Sequence, residues 1–426
     1  MNYRVKWKMN LIKRKIEHTI WDHLSKKEIT LIIGPRQAGK TTLLQVIERR
    51  LQERKIPTLF LNLDIERHNE YFSSQDTFLH KLGLEFPGKR GVVFIDEFQR
   101  KENAGLFLKG IYDMDTGFKF VVSGSGSMEL KESIHESLAG RKRMFDLLPL
   151  SISEIIHHKT AYRYEYRLQE YCSFEKNITG QYLDEYLQSG GFPRVVLENT
   201  SDEKRIVMDE IYRSYIEKDI VALLNIDRPD AFSRLLKLLA TNIGLPVQYS
   251  TLAADSGLSV PTLRKYIMYA ERTFSINVVT PFFTNKRKEI TKSPVVYFTD
   301  PGFRNYSVGL FGNITHPREY GLLFQNFIYL LLLDHTRGRG WNIHFWRTTD
   351  KSEVDFVIDK KKEVLPVEVK YSSLSKPAVS RSFRSFIEKY NPGEAWIVNL
   401  DYEKEIKINT TVVKFLPWYR LLGEKQ

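Results

Sequence analysis

The chain has one cysteine in 426 residues, Cys172, which excludes an intramolecular disulfide and a thiolate metal site and fits a reducing compartment. It also lacks any apolar run near the ~18 residues of a membrane span. The strongest run, Phe327-Ile328-Tyr329-Leu330-Leu331-Leu332-Leu333, is short. The basic N-terminus has no apolar h-region of a signal peptide. Acidic residues are in deficit, 52 Asp+Glu against 64 Lys+Arg, giving a net charge of +12. That balance suits an anionic partner such as nucleic acid, although many basic proteins bind none. The expectation is a cytoplasmic protein without a membrane association, long enough for two to four domains.

What is present begins with a phosphate-binding loop. Gly34-Pro35-Arg36-Gln37-Ala38-Gly39-Lys40-Thr41 fits G-x-x-x-x-G-K-S/T and follows the apolar run Ile29-Thr30-Leu31-Ile32-Ile33. Its glycines let backbone N–H groups of Gly34, Gln37, Ala38, Gly39 and Lys40 wrap a polyphosphate. Lys40 would reach the β- and γ-phosphates of ATP, and the Thr41 hydroxyl would ligate Mg²⁺. Thr41 and Thr42 open a helix whose dipole favours the anion. A second apolar run, Gly91-Val92-Val93-Phe94-Ile95-Asp96-Glu97, ends in two acids. Asp96 would hold Mg²⁺ through its water shell and Glu97 would polarise the attacking water; a helix N-cap is the plainer alternative. Phe118 to Ser125 reads as a third strand, with Ser123 or Ser125 placed to orient that water, or there only for turn geometry. Alternation of strand and helix signals predicts a parallel sheet over residues 1–158. Its last strand is expected at Leu147-Leu148-Pro149-Leu150, with Ser151 capping the next helix. Arg141 or Arg143 would approach the γ-phosphate, in its own subunit or across a homo-oligomer; a solvated basic turn is the alternative.

Gly34–Thr42, Phe-Ile-Asp-Glu-Phe-Gln at 94–99, Ser-Gly-Ser-Gly-Ser at 123–127, Glu-Ser-Leu-Ala-Gly-Arg at 136–141, Leu-Leu-Pro-Leu-Ser at 147–151 and Gly-Gly-Phe-Pro at 190–193 together resemble one prokaryotic AAA-type ATPase family. Over nearly the whole chain, the resemblance implies an AAA-like P-loop core, a winged-helix segment and a nuclease-like C-terminal domain of unknown function.

The residues beyond the core support a reading of the same shape. Residues 159–228 read as a helical lid, in which Gln181–Leu187 is helical and stops at Gly190-Gly191. Residues 229–305 hold an amphipathic helix at 231–240, a short helix before Gly257, and a helix from Val260 with Pro261 in its first turn. That is a helix-turn-helix signature. Ser259, Thr262, Arg264 and Lys265 would meet a DNA groove, and wing residues Lys286, Arg287, Lys288 and Lys292 would touch phosphates. Packing or protein interaction is the competing use.

In residues 306–426, Ser352–Asp359 and Val364–Lys370 alternate around a Lys360–Glu363 turn, so they form a hairpin with 359 opposite 364. Asp355 then lies opposite Glu368, with Lys370 on the same face. Two carboxylates and a lysine can hold Mg²⁺ and activate water for phosphodiester cleavage, whereas a surface ion-pair ladder uses the same letters. An acid followed by E-x-K resembles the restriction-endonuclease-like superfamily. The resemblance implies a further acid in a run like Gly-x-Leu-Phe-Glu-Asn, and here Gly321-Leu322-Leu323-Phe324-Gln325-Asn326 carries Gln325 instead. Glu319 is a nearby substitute. The expected function is Mg²⁺-dependent ATP hydrolysis controlling a DNA-binding, nuclease-like module; the alternative is a nucleotide switch without cleavage.

Overall fold

The computed structural model describes residues 11–125, 138–222, 226, 228–283, 292–348 and 352–423. Its N-terminal part is an all-parallel five-stranded sheet in the order β2-β3-β4-β1-β5. The strands are β1 (Ile29–Gly34), β2 (Thr58–Asn62), β3 (Gly91–Asp96), β4 (Phe118–Ser125) and β5 (Lys142–Asp146). Every residue of β1 is buried, as a strand covered on both faces requires. Helix Lys40–Glu53 packs Leu43, Leu44 and Ile47 on one face with Phe94 and Val121. An aromatic-rich layer around Phe72, Phe78 and Phe107 covers the other.

The last strand lies earlier than the expected 147–150. β5 pairs with β1 from Ile29↔Lys142 to Ile33↔Asp146, and Leu147 N–H adds a final bond to the Ile33 carbonyl at 2.7 Å. At Gly34 the partner strand leaves the sheet to form the loop, and Pro149 has no N–H to offer, so pairing ends there. Ser151 then caps helix Ile152–Lys159 in a capping box with Glu154.

Helices Lys176–Ser189, Pro193–Leu197 and Ser201–Ser214 follow, and the last runs into a π-helical stretch, Tyr215–Ala222. Helix Tyr249–Ser256 ends at Gly257, whose φ of 68° is the left-handed cap, and Ser259 caps helix Val260–Arg272. β6 (Ile276–Val279) and β7 (Val295–Phe298) pair antiparallel behind them. Lys286, Arg287 and Lys288 lie outside the described residues, and Lys292 is exposed.

The C-terminal part is a six-stranded mixed sheet, β12-β13-β11-β10-β9-β8. Its strands are β8 (Asn342–Arg347), β9 (Glu353–Asp359), β10 (Val364–Val369), β11 (Glu394–Asn399), β12 (Lys404–Ile408) and β13 (Thr411–Pro417). Helix Pro317–Thr336 packs against one face and helix Arg381–Tyr390 against the other. One apolar core is continuous from Leu150 through Leu236, Phe303 and Phe327 to Leu422. Inside it Arg304, 1% exposed, donates Nε to the Ala240 carbonyl at 2.7 Å and ion-pairs with Glu319 at 2.9 Å.

Candidate functional site

The ends of β1, β3 and β4 meet at the phosphate loop. Asp96, fully buried at the end of β3, accepts hydrogen bonds from Thr41 Oγ1 at 2.7 Å, Asn62 Nδ2 at 3.2 Å and Ser123 Oγ. Thr41 and Asp96 are thus joined as expected, while Ser123 is bound beneath Asp96. Ser125 Oγ is buried with no partner among the described residues, one strand over from Gly34. Glu97 follows in a left-handed conformation (φ 57°), an uncommon geometry for a non-glycine residue, and accepts a bond from Gln99 Nε2. Gln99 Oε1 in turn accepts Ser125 N–H at 3.1 Å.

Lys40 is buried and donates to the Gly34 and Pro35 carbonyls at 3.0 and 2.9 Å. Burial pushes its ammonium below the usual lysine range, and the carboxylates of Glu97, Asp219 and Asp96 oppose the shift. Beside the loop lies a cavity of 710 Å³ lined by Gln37, Gly39, Lys40, Thr41, Thr42 and Glu97. Leu11, Ile12, Val46, Leu150 and Leu197 form an apolar part of its wall. That size and mixture suit a nucleotide. Ala38 is packed behind the loop, and its carbonyl accepts Arg14 Nη1 at 2.7 Å.

Several residues at this site carry no motif signal. Arg14 also ion-pairs with Glu154 at 3.0 Å and donates to the Leu148 carbonyl, tying the segment before the sheet to the segment after it. Arg194 donates to Gln37 Oε1 at 3.0 Å and pairs with Glu210 at 2.9 Å. Arg36 pairs with Asp219 at 2.7 Å. Burial raises the Asp219 carboxyl, and Arg36 is the main influence holding it down. Arg194 directly follows the Gly-Gly-Phe-Pro run, which was the one local hint.

Arg141 does not line this cavity. Its carbonyl accepts Ile29 N–H at the start of β1, roughly 16 Å of strand from Gly34. Its guanidinium pairs with Asp113 at 2.7 Å. Contrary to the expected approach to the phosphates of its own chain, Arg141 stands at the opposite end of the strands from the phosphate loop.

A second cluster forms in the C-terminal sheet. The hairpin register is Val364↔Asp359 to Val367↔Phe356, as read from the turn. β9 pairs with β8 at Val354↔Trp346 and again at Val357↔His344, so it carries an extra residue across Asp355 and Phe356. Asp355 accepts Val369 N–H at 2.7 Å and Gln325 Nε2 at 2.8 Å. Glu368 binds Lys370 at 2.6 Å and Ser380 at 2.9 Å. Enclosure pushes the Asp355 carboxyl from 3.8 to about 7, helped by Glu368 and opposed by Val369 N–H and Lys370.

The residues converge, but they do not fit a divalent cation as expected. Gln325 adds no charge, and Lys370 pairs with Glu368 at 2.6 Å, so little net negative charge faces a cation. No group of three His, Cys, Asp or Glu able to hold a metal occurs among the described residues. At the phosphate loop one acid and one hydroxyl, Asp96 and Thr41, would suffice, because nucleotide phosphates and water complete the shell of Mg²⁺. Glu319 does not replace the missing acid: it is committed to Arg304, roughly 9 Å of helix rise before Gln325.

On the helix-turn-helix unit, Arg264 lies over the Tyr249 ring at 3.9 Å and Lys265 over Tyr269 at 5.4 Å, both exposed. Ser259 and Thr262 bond to each other at 2.8 Å as the cap. No helix among the described residues is long and apolar enough to cross a membrane.

Comparison with known proteins matches three segments of the chain. Residues 26–156 match an AAA domain, 180–313 a domain of unknown function (DUF8612), and 320–421 another (DUF4143). An uncharacterized protein of Methanocaldococcus jannaschii is 26% identical over 395 residues, covering 91% of this chain and 84% of its own. One from Mycobacterium tuberculosis is 24% identical over 366 residues, covering 85% and 74%. Among solved structures, the Aeropyrum pernix Orc1 protein in complex with DNA aligns with a TM-score of 0.32 and 11% identity, covering 72% of this chain and 94% of that one. The replication initiator DnaA bound to AMPPCP and single-stranded DNA aligns at 0.31 and 14%, covering 62% and 90%. Over residues 26–156 the chain is similar to AAA-type domains, in keeping with the nucleotide-sized cavity beside its phosphate loop.

Proposed function

We propose that the chain is a Mg²⁺-dependent ATPase that works as a nucleotide-controlled switch, whose C-terminal sheet binds without cleaving. The observation that supports it most is the convergence of Thr41, Asn62 and Ser123 on Asp96 beside Lys40 and Glu97. In this reading Lys40 binds the outer phosphates. Thr41 and Asp96 hold Mg²⁺, which when bound draws charge from the phosphate oxygens. Glu97, oriented by Gln99, takes the proton from the attacking water, and Ser125 orients that water. The units at 1–158, 159–228, 229–305 and 306–426 then act as core, lid, winged helix and restriction-endonuclease-like output. DNA is the partner favoured by the exposed Arg264, Lys265 and Lys292. Arg141 is left for a neighbouring subunit's nucleotide in a homo-oligomer.

Titrating the protein with a fluorescent ATP analogue and Mg²⁺ tests the nucleotide reading. Lys40→Ala should weaken binding roughly 100-fold, the worth of two charge-assisted contacts; unchanged affinity rejects the assignment. Mg²⁺-dependent nicking of plasmid DNA that disappears in Lys370→Ala would overturn the non-cleaving output.

A further inference from the structure

Arg36 belongs to the phosphate loop and lines the nucleotide cavity, yet its Nε donates to Asp219 Oδ1 at 2.7 Å. The two side chains are enclosed, 19% and 5% exposed. Asp219 lies in the π-helical stretch Tyr215–Ala222; Lys218 of that stretch and Ser214, the last residue of the helix feeding it, also line the cavity. Four residues before Asp219, the Tyr215 hydroxyl bonds to Thr273 Oγ1 at 2.8 Å and Ser275 Oγ at 2.9 Å. Thr273 is the C-cap of helix Val260–Arg272, and Ser275 directly precedes β6. One short segment therefore holds the phosphate loop at one point and the helix-turn-helix unit at another.

The segment is suited to moving. A π-helix carries one residue more per turn than the α-helix feeding it, so a register change can be absorbed locally. A cavity of 20 Å³ lies between Arg36, Tyr215, Thr273 and Ser275 and leaves room for a small shift. Arg36 has one guanidinium, and a terminal phosphate competes for it with more charge than the Asp219 carboxylate and with matching bidentate geometry. ADP lacks the γ-phosphate that would compete at this position. A ligand shifts such an equilibrium only by its differential affinity for the two states, and here ATP and ADP differ in that respect.

We propose that the Arg36–Asp219 pair is a latch which the terminal phosphate of ATP opens, passing nucleotide state through residues 215–222 to helix Val260–Arg272. The latch rests on the nucleotide reading above. Hydrogen exchange on the full chain, with Mg·ADP and with Mg·ATPγS, tests it. Exchange across 215–222 and 273–275 is expected to be about tenfold faster with ATPγS than with ADP. Asp219→Asn should show the fast exchange with either nucleotide and bind ATPγS about tenfold more tightly, with ADP affinity unchanged. Arg36→Gln should open the same segment without any gain for ATPγS, and that contrast with Asp219→Asn is what a merely structural ion pair would not predict. Equal exchange with both nucleotides in the parent protein, or weaker ATPγS binding by Asp219→Asn, overturns the latch alone. Failure of the parent protein to bind either nucleotide overturns the ATPase reading and the latch together.

Discussion

Asp96 accepts three side-chain donors and lies next to Glu97, which has a left-handed backbone and whose carboxylate is held by Gln99. The adjacent acids therefore have separable duties. Glu97→Gln should leave Mg·ATP affinity within about twofold and lower turnover by roughly 10²–10⁴, the usual worth of a general base; a phosphate-release assay with normal turnover removes Glu97 from the chemistry. A second residue reports on stability. His23 is buried, with Nδ1 2.8 Å from Thr30 Oγ1. Burial first, then Lys119 and Arg143, lower its pKa from 6.5 to about 4. Between pH 6.5 and 4 the unfolded chain takes up a proton that the folded one refuses, so His23 costs stability as pH falls through that window. His23→Gln, which keeps a polar partner for Thr30, should lessen the acid loss by roughly 2–3 kcal/mol. Chemical denaturation of both proteins at pH 7 and pH 4.5 measures it, and parallel losses would reject it.

Gly34 ends β1 where a Cβ would collide with the Leu147 carbonyl oxygen of the neighbouring chain segment. Gly34→Ala should therefore separate β1 from the segment after β5, costing about 1–3 kcal/mol in a denaturant melt and weakening ATP binding in parallel; a variant with parental stability would refute the close approach. Elements with local rules were legible in the sequence. The hairpin of β9 and β10 has the register its four-residue turn implies, because alternation and loop length specify pairing together. The helix pair around Gly257 and Ser259 was equally readable from its cap and turn residues. β5 was displaced because its end depends on where β1 leaves the sheet. Arg36–Asp219 and Arg14–Glu154 were invisible for a different reason: their partners are 183 and 140 residues apart, and no periodicity links them. The extra residue of β9 at Asp355 likewise arises from pairing with β8, which a hairpin drawn from two strands does not contain.

Across the molecule the excess of basic residues bears on the proposed DNA partner, since Arg264 and Lys265 are exposed on one helix. If both neutralise phosphates, Arg264→Ala with Lys265→Ala should reduce the log–log salt slope of DNA binding by about 1.8 and weaken all sequences alike. Fluorescence anisotropy over a range of salt measures this, and an unchanged slope would favour a protein partner. The continuous core from Leu150 to Leu422 has a separate consequence, for inheritance. A unit with its own core can be exchanged between genes without harm to its neighbours, but here any crossover between 180 and 420 would join two halves of one packed interior. Relatives are then expected to inherit the lid, the helix-turn-helix unit and the C-terminal sheet as a block. Chimaeras should fail at junctions near 228 or 305.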